Sequence, residues 1–329
     1  MRAESSCIVS GWLAAPLSLP CNTAHRLGLA PAMIFAELGI SVDPHGVVEQ
    51  RVPCPHCSKR ESDKTLGANI GTGAYHCFRC DWAGRAFDED SNESQPSRVV
   101  TRIDDPAVAE RKRERLRRTW RETVPLKHVK ATPVRNYLES RALTNILGNP
   151  PAPLQAHPSL PYWDNGQMLG TYPAMVALFN RADGTPCTLH VTWLRHDGCA
   201  KAPVPSPKKI LGVPVKGATK GGAIQLYAPE NGVLGVAEGI ESALSLRLLK
   251  KIPVWASFCA DNLKYIHLPK NLRELYIGVD IDASGKGEQV AHALAARVTK
   301  WSHRTRVCFI TPELEGPGDL NDELRRRAN

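Results

Sequence analysis

The segment Val233-Leu-Gly-Val-Ala-Glu-Gly-Ile-Glu-Ser-Ala-Leu244 passes from a short apolar run into a helical pattern across Glu238 and Gly239. Val233–Ala237 has strand length and composition, and Ile240, Leu244 and Leu248 then recur on one helical face. The alternation continues downstream. Residues 252–256 and 275–279 read as strands, and 289–301 as a helix with Val290, Leu294, Val298 and Trp301 on its inner face. Residues 305–310 read as a further strand. Strands and helices alternating at this length predict an α/β fold, a parallel sheet with helices on its faces. Glu238 falls at the carboxyl end of one strand, and Asp280 and Asp282 at the carboxyl end of another. Ligands of parallel sheets bind outside those ends. Two aspartates at i and i+2 of an extended segment point the same way. A dense set of oxygen donors selects Mg²⁺ or Mn²⁺. The following Ser284-Gly285-Lys286-Gly287 would let a phosphate approach the backbone, with Lys286 beside it. Each acid alone could be an exposed cap or surface pair; three at two neighbouring strand ends read as a site.

A second signal lies upstream. Cys54-x2-Cys57 and Cys77-x2-Cys80 are two short-spaced pairs separated by 19 residues. Two such pairs supply the four thiolates of a tetrahedral Zn²⁺ site. The alternatives, two disulfides or a redox motif, do not explain the matched second pair. With little apolar periodicity around it, the ribbon is expected to draw most of its folding energy from the metal. His56 and His76 adjoin the ligands as surface or supporting residues. Tyr75, Phe78 and Trp82 lie among Lys59, Arg60, Lys64, Arg79 and Arg85. That mixture suits stacking on single-stranded nucleic acid, or a small core around the zinc. The remaining six of the ten cysteines show no paired spacing and read as reduced thiols.

Composition sets the frame. The 329 residues carry 42 Lys and Arg against 33 Asp and Glu, a net charge of +9, which favours a polyanionic partner. Hydrophobic residues at 42% and charged residues at 23% exclude wholesale disorder. No apolar run reaches the ~18–20 residues of a membrane helix, and none is expected to contact a membrane. The nearest approach to a signal peptide, residues 7–19, contains Gly11 and Pro16 and follows Glu4, so a cytoplasmic location is expected. The chain divides into an N-terminal segment with a helix (1–50), a zinc-binding ribbon (51–89) and a linker with a charged helix (90–124). A basic α+β region (125–229) precedes the parallel α/β domain (230–329). The charged helix starts at Asp105-Pro106 and runs to about Arg121, with seven cations against two glutamates. It reads as a solvated connector or a phosphate-binding element. Strands are expected over 174–179 and 188–194, joined at Asp183-Gly184. Arg195, Lys201, Lys208, Lys209, Lys216 and Lys220 then crowd a Pro-rich stretch, read as loop or edge strand.

The cysteine ribbon, the basic region, V-A-E-G-I-E-S-A-L and I-G-V-D-I-D-A-S-G-K-G together resemble the DNA primases of bacteria, phages and plasmids, and most closely the phage and plasmid group. Residues 173–176 and 189–194, Asp197-Gly198 and Lys201-Ala202 resemble the block ahead of that group's Toprim domain. The resemblance implies an N-terminal zinc ribbon and a Toprim-type catalytic domain. It implies Glu238 as general acid/base or metal contact and Asp280 and Asp282 as the Mg²⁺ pair. It also implies Asp319, in G-D-L-N-D, as the later acidic motif. There Gly318 stands where the family often has lysine. Arg195, Lys201, Lys208 and Lys209 would line the groove for template and nucleotide. The implied activity is synthesis of short RNA primers on single-stranded DNA from NTPs. Alternatives are another Toprim enzyme, such as a nuclease or topoisomerase, or a non-catalytic DNA-binding replication accessory. No G-x4-G-K-[ST] loop occurs, so unwinding is expected from a helicase or initiator on a separate chain.

Overall fold

The structure is a computed structural model that describes residues 31–58, 63–78, 82–86, 106–164, 166–215 and 217–328. Two compact units divide the chain, residues 1–99 and 100–329.

In the first unit, helix α1 (Pro31–Glu37) precedes four short strands, β1 (Glu49–Val52), β2 (Leu66–Asn69), β3 (Ala74–Cys77) and β4 (Ala83–Arg85). They form an antiparallel meander in sequence order. The ribbon does have an apolar core, contrary to the sequence expectation. Ile34, Phe35 and Ile40, from α1 and the turn after it, are buried with Val52, Leu66 and Ala68. The periodicity of so short a ribbon is weak, and its core is completed by a helix lying outside residues 51–89. Tyr75 and Trp82 pack against the same cluster, whereas Phe78 is 52% exposed with the Arg51 guanidinium 3.8 Å above its ring.

The second unit begins with α2 (Pro106–Arg121), where the Pro at the first helical position fits its start. The Asp105 cap and residues 90–104 of the expected linker lie outside the described residues. Strands β5 (Val124–Pro125), β6 (Leu154–Asp164), β7 (Gln167–Asn180), β8 (Pro186–Trp193) and β9 (Lys208–Ile210) form an antiparallel sheet in that order, with α3 (Thr132–Ser140) between β5 and β6. β9 is an edge strand, as the prolines before it require. Alternation along β7 and β8 gives the sheet two apolar faces. Ala174, Val176, Leu189, Val191 and Trp193 face outward toward Leu116 and Trp120 of α2. Met175, Ala177 and Phe179 face inward.

The rest is the parallel domain: β10 (Val233–Ala237), α4 (Ile240–Lys250), β11 (Val254–Ala256), α5 (Ala260–Leu263), β12 (Glu274–Gly278), α6 (Lys286–Trp301), β13 (Arg306–Ile310) and α7 (Leu320–Ala328). Its four strands are parallel in the order β11-β10-β12-β13. On one sheet face, Val290, Leu294 and Val298 of α6 cover Leu234, Val236, Leu275 and Ile277. Trp301, expected on that face, is the last residue of the helix and is 41% exposed. On the other face α4 is buried from Ile240 through Leu246, in one core with α3, β7 and Leu320 of α7. The five-stranded sheet and the parallel domain therefore share a core across residue 230.

Candidate functional site

The chain runs from β10 through α4 to β11 on one side, then returns to place β12 on the other. The strand order reverses between β10 and β12, the place where parallel sheets open a crevice for ligands. Glu238 follows β10 and Asp280 follows β12 at that crevice. Asp319 is brought there by a two-bond bridge: Ile281 N–H donates to the Gly318 carbonyl and Gly318 N–H to the Ile281 carbonyl, each at 2.9 Å. The Asp319 carboxylate accepts from the N–H groups of Asn321 (2.7 Å) and Asp322 (3.0 Å), capping α7. Burial, then the Glu238 and Asp319 carboxylates, push the Asp280 carboxyl up to about 7, against the pull of Lys208. One Asp280 oxygen is buried with no hydrogen-bond partner among the described residues. Burial also raises Glu238, which accepts from the Ala260 N–H and is drawn down by Lys208. Mutually repelling carboxylates with an orphaned oxygen are what a divalent cation relieves, and this donor set fits Mg²⁺ or Mn²⁺.

Asp282 is in a different state. It is exposed and accepts from the Ser284 backbone (2.7 Å) and hydroxyl, and from the N–H groups opening α6. These bonds hold its carboxyl below the usual range, the Ser284 hydroxyl first among them. A Cβ on Gly287 would lie 1.9 Å from the Asp280 carbonyl. This glycine lets α6 close onto the chain's own acidic loop. Lys286 bonds Asp261 at 2.7 Å.

Across the crevice, the inner face of the antiparallel sheet supplies cations. Lys208 on β9 acts on Glu238, Glu241 and Asp280, and Lys201 on Glu241. Lys209 turns to the outer face, where it bonds Asp164 at 3.2 Å and lies 4.1 Å from the Tyr162 ring centroid. Arg195 pairs with Asp197 at 3.1 Å in an exposed turn. The expected site residues thus separate. Glu238, Asp280, Asp319 and Lys208 converge, with Asp282 at their margin, while Lys209 and Arg195 stand in ion pairs of their own.

In the first unit, the sulfurs of Cys54, Cys57 and Cys77 lie within 4.8 Å of one another, with Cys57 and Cys77 at 3.5 Å. A disulfide would bring two sulfurs to about 2.05 Å. Zn–S bonds of about 2.3 Å around a tetrahedron put them about 3.8 Å apart. The cluster fits a zinc site. Cys80, expected as the fourth ligand, lies outside the described residues, as do Lys59, Arg60 and Arg79.

Residues 233–329 match the Toprim domain family, over the crevice and all four parallel strands. Residues 233–329 form a Toprim domain. Residues 110–221 match a domain of unknown function, DUF7146. No curated protein matches the chain. Among solved structures, the primase fragment of the bacteriophage T7 primase-helicase is 12% identical, covering 84% of this chain and 94% of its own, with a TM-score of 0.34. The zinc-binding and RNA polymerase domains of the Aquifex aeolicus primase are 13% identical over 92% of this chain and 81% of their own, at 0.37. The E. coli primase catalytic core is 16% identical over 67% and 79%, at 0.40.

Four polar residues bearing on the Toprim crevice were not singled out from the sequence. Glu241 is buried in α4, where the Tyr137 hydroxyl donates to it at 2.7 Å. Burial would raise its carboxyl, but Lys208, Lys201 and that hydrogen bond outweigh it and hold Glu241 at about 2. His190, on the inner face of β8, is pushed down to about 4 by burial, and its Nδ1 has no hydrogen-bond partner among the described residues. Arg141 bonds the Tyr137 hydroxyl at 3.4 Å. Glu241 carried a legible signal, a carboxylate three residues before Leu244 on the apolar stripe of α4. Tyr137 and His190 carried none, since only the fold brings them to α4.

Proposed function

We propose that this chain is a DNA primase that joins NTPs into short RNA primers on a single-stranded DNA template. The observation that carries the reading is the Asp280 oxygen, buried without a partner beside Glu238 and Asp319 at the strand-order reversal of a Toprim domain. Asp280, with Glu238 and Asp282, would hold Mg²⁺ or Mn²⁺, which when bound neutralises the triphosphate and activates the primer 3′-hydroxyl. Glu238, raised by burial, suits acceptance of the hydroxyl proton. Lys208 and Lys201, on the facing sheet, suit the phosphates of nucleotide or template. In the first unit, Cys54, Cys57 and Cys77, with Cys80, would hold one Zn²⁺. Unwound template would come from a helicase or initiator on another chain.

The test is incubation of the full chain with single-stranded DNA, labelled NTPs and Mg²⁺. Short oligonucleotides that vanish in Asp280→Ala are expected. Cleavage of DNA without NTPs would instead identify a Toprim nuclease or topoisomerase. DNA binding with neither activity would identify a replication accessory. Elemental analysis of natively purified protein should find one zinc per chain, and a zinc-free protein would overturn the metal assignment.

A further inference from the structure

Helix α2 lies on the outer face of the antiparallel sheet, held by Leu116 and Trp120. Beside it runs a groove of about 940 Å³, on the side of the sheet away from the carboxylates. Its walls carry Lys112, Arg115 and Arg118 from α2, Lys209 from β9 and Trp163 from the end of β6.

The helix divides its own charge. Glu110 pairs with Arg113 (3.0 Å) and Arg117 (2.8 Å), and Glu114 with Arg117 (3.7 Å) and with Arg121. Both glutamates are thereby engaged by arginines other than those of the groove. Lys112, Arg115 and Arg118 have no carboxylate partner among the described residues. The one carboxylate on the groove wall, Glu122, is engaged by His157 at 3.2 Å. Lys209 is fixed by Asp164 and by the Trp163 carbonyl at 3.0 Å. Among the described residues the walls therefore present four cations against one carboxylate. Lys112, Arg115 and Arg118 are spaced three residues apart, so they rise about 4.5 Å per step along the helix. Such a row follows a charged chain, where a single bound anion would need convergence.

The ring beside this row decides the kind of chain. Trp163 is 47% exposed. Trp193 is buried, with its indole N–H donated to the Leu160 carbonyl at 3.3 Å, and so is closed to a ligand. An exposed indole that lines the same groove as Lys112, Arg115 and Arg118 offers a stacking surface for a base along with contacts for phosphates. Duplex DNA keeps its base faces stacked and offers nothing to such a ring. We infer that the groove between α2 and the outer sheet face binds single-stranded nucleic acid, as a contact surface separate from the Toprim crevice. It does not rest on the primase reading, because it uses none of the carboxylates.

The test is fluorescence anisotropy of the full chain with a labelled oligothymidylate across a salt series. A Lys112→Ala, Arg115→Ala, Arg118→Ala triple variant should bind at least tenfold more weakly at low salt. The slope of log K against log salt should fall by about 2, at roughly 0.7 per lost phosphate contact. Trp163→Ala should weaken binding roughly tenfold with the slope unchanged. Parent-like binding by both variants would overturn the inference. So would a polyglutamate peptide that binds as tightly as the oligonucleotide and loses affinity in the same variants, since the groove would then read acidic peptide. A second readout needs no variant. Photo-crosslinking of iodouracil-substituted single strands to the unmodified chain should label the Trp163 peptide. Labelling confined to peptides bearing Lys201 and Lys208 would place the strand on the inner face and overturn the proposal.

Discussion

Lys208 and Lys209 are neighbours in the chain, and β9 sends them to opposite faces of one sheet. Lys208 enters the field of Glu238, Glu241 and Asp280, while Lys209 pairs with Asp164 on the groove side. The inner face sets cations against buried carboxylates, where each charge alters the ionisation of its neighbours. The outer face sets cations around an exposed ring, where charge is free to meet a polyanion. Adjacency in a basic stretch is thus no guide to shared function when the backbone is extended.

The largest effect should come from the inner face alone. Asp280→Ala is expected to lower primer synthesis about a thousandfold or more, because metal-borne charge stabilisation supplies several kcal/mol at about 1.4 kcal/mol per factor of ten. Oligothymidylate affinity should stay within about twofold, since removing an anion takes away no phosphate contact. A parallel loss of binding would break the separation of the two faces.

The lysine pair sharpens the contrast. Lys208→Ala should cost roughly 10- to 100-fold in synthesis, as a cation facing the reacting phosphates is removed. Lys209→Ala should leave synthesis near the parent rate and weaken single-strand binding a few-fold. Equal effects from the two variants would mean that β9 does not divide the work.

Stability should divide in the same way. Tyr137→Phe removes the donor to the buried Glu241 carboxylate and the link between α3 and α4. A hydrogen bond to a charged group contributes about 1.5–3 kcal/mol, so Tm should fall by about 3–10 °C for a unit of this size. Trp163→Ala, at an exposed position, should leave Tm nearly unchanged. Matching losses in a thermal melt would show that Trp163 is structural and not a ligand surface.

The Toprim domain was legible because each strand and helix announces itself locally. Val233–Ala237 is found as read, and Glu238 and Asp280 stand just past the carboxyl ends of β10 and β12, where that reading put them. The clustering of Cys54, Cys57 and Cys77 was legible by spacing alone. What the sequence hid depends on pairing between distant segments. β6 begins at Leu154 within Pro-rich sequence and was not foreseen, so the sheet's two faces were not either. Lys208 and Lys209 could not be told apart, because a three-residue strand shows no period until its partner fixes the register. The ribbon's core was missed for a similar reason, since Phe35 and Ile40 meet Leu66 only after folding.

The smallest effect concerns two histidines, one on each side of the sheet. Burial lowers His190 on the inner face to about 4. His157 is lowered too, by burial, although Glu122 at 3.2 Å works the other way. Both rings are more readily protonated in the unfolded chain, where histidine titrates near 6.5. Between that value and the folded one, the unfolded state binds more protons, so stability falls as pH drops. The dependence should begin as pH passes below about 6.5 and, for His190, end near 4. One proton bounds the slope at about 1.4 kcal/mol per pH unit, or about 3–6 °C in Tm. His190→Gln should flatten Tm against pH between 6.5 and 5, whatever it does to the level. His157→Gln should flatten it less, because Glu122 already favours the charged ring. Thermal melts of the parent and both variants at several pH values, in constant ionic strength, make the comparison. An unchanged slope in His190→Gln would mean that water reaches the inner face, and that the charges there are not insulated from solvent as the buried crevice requires.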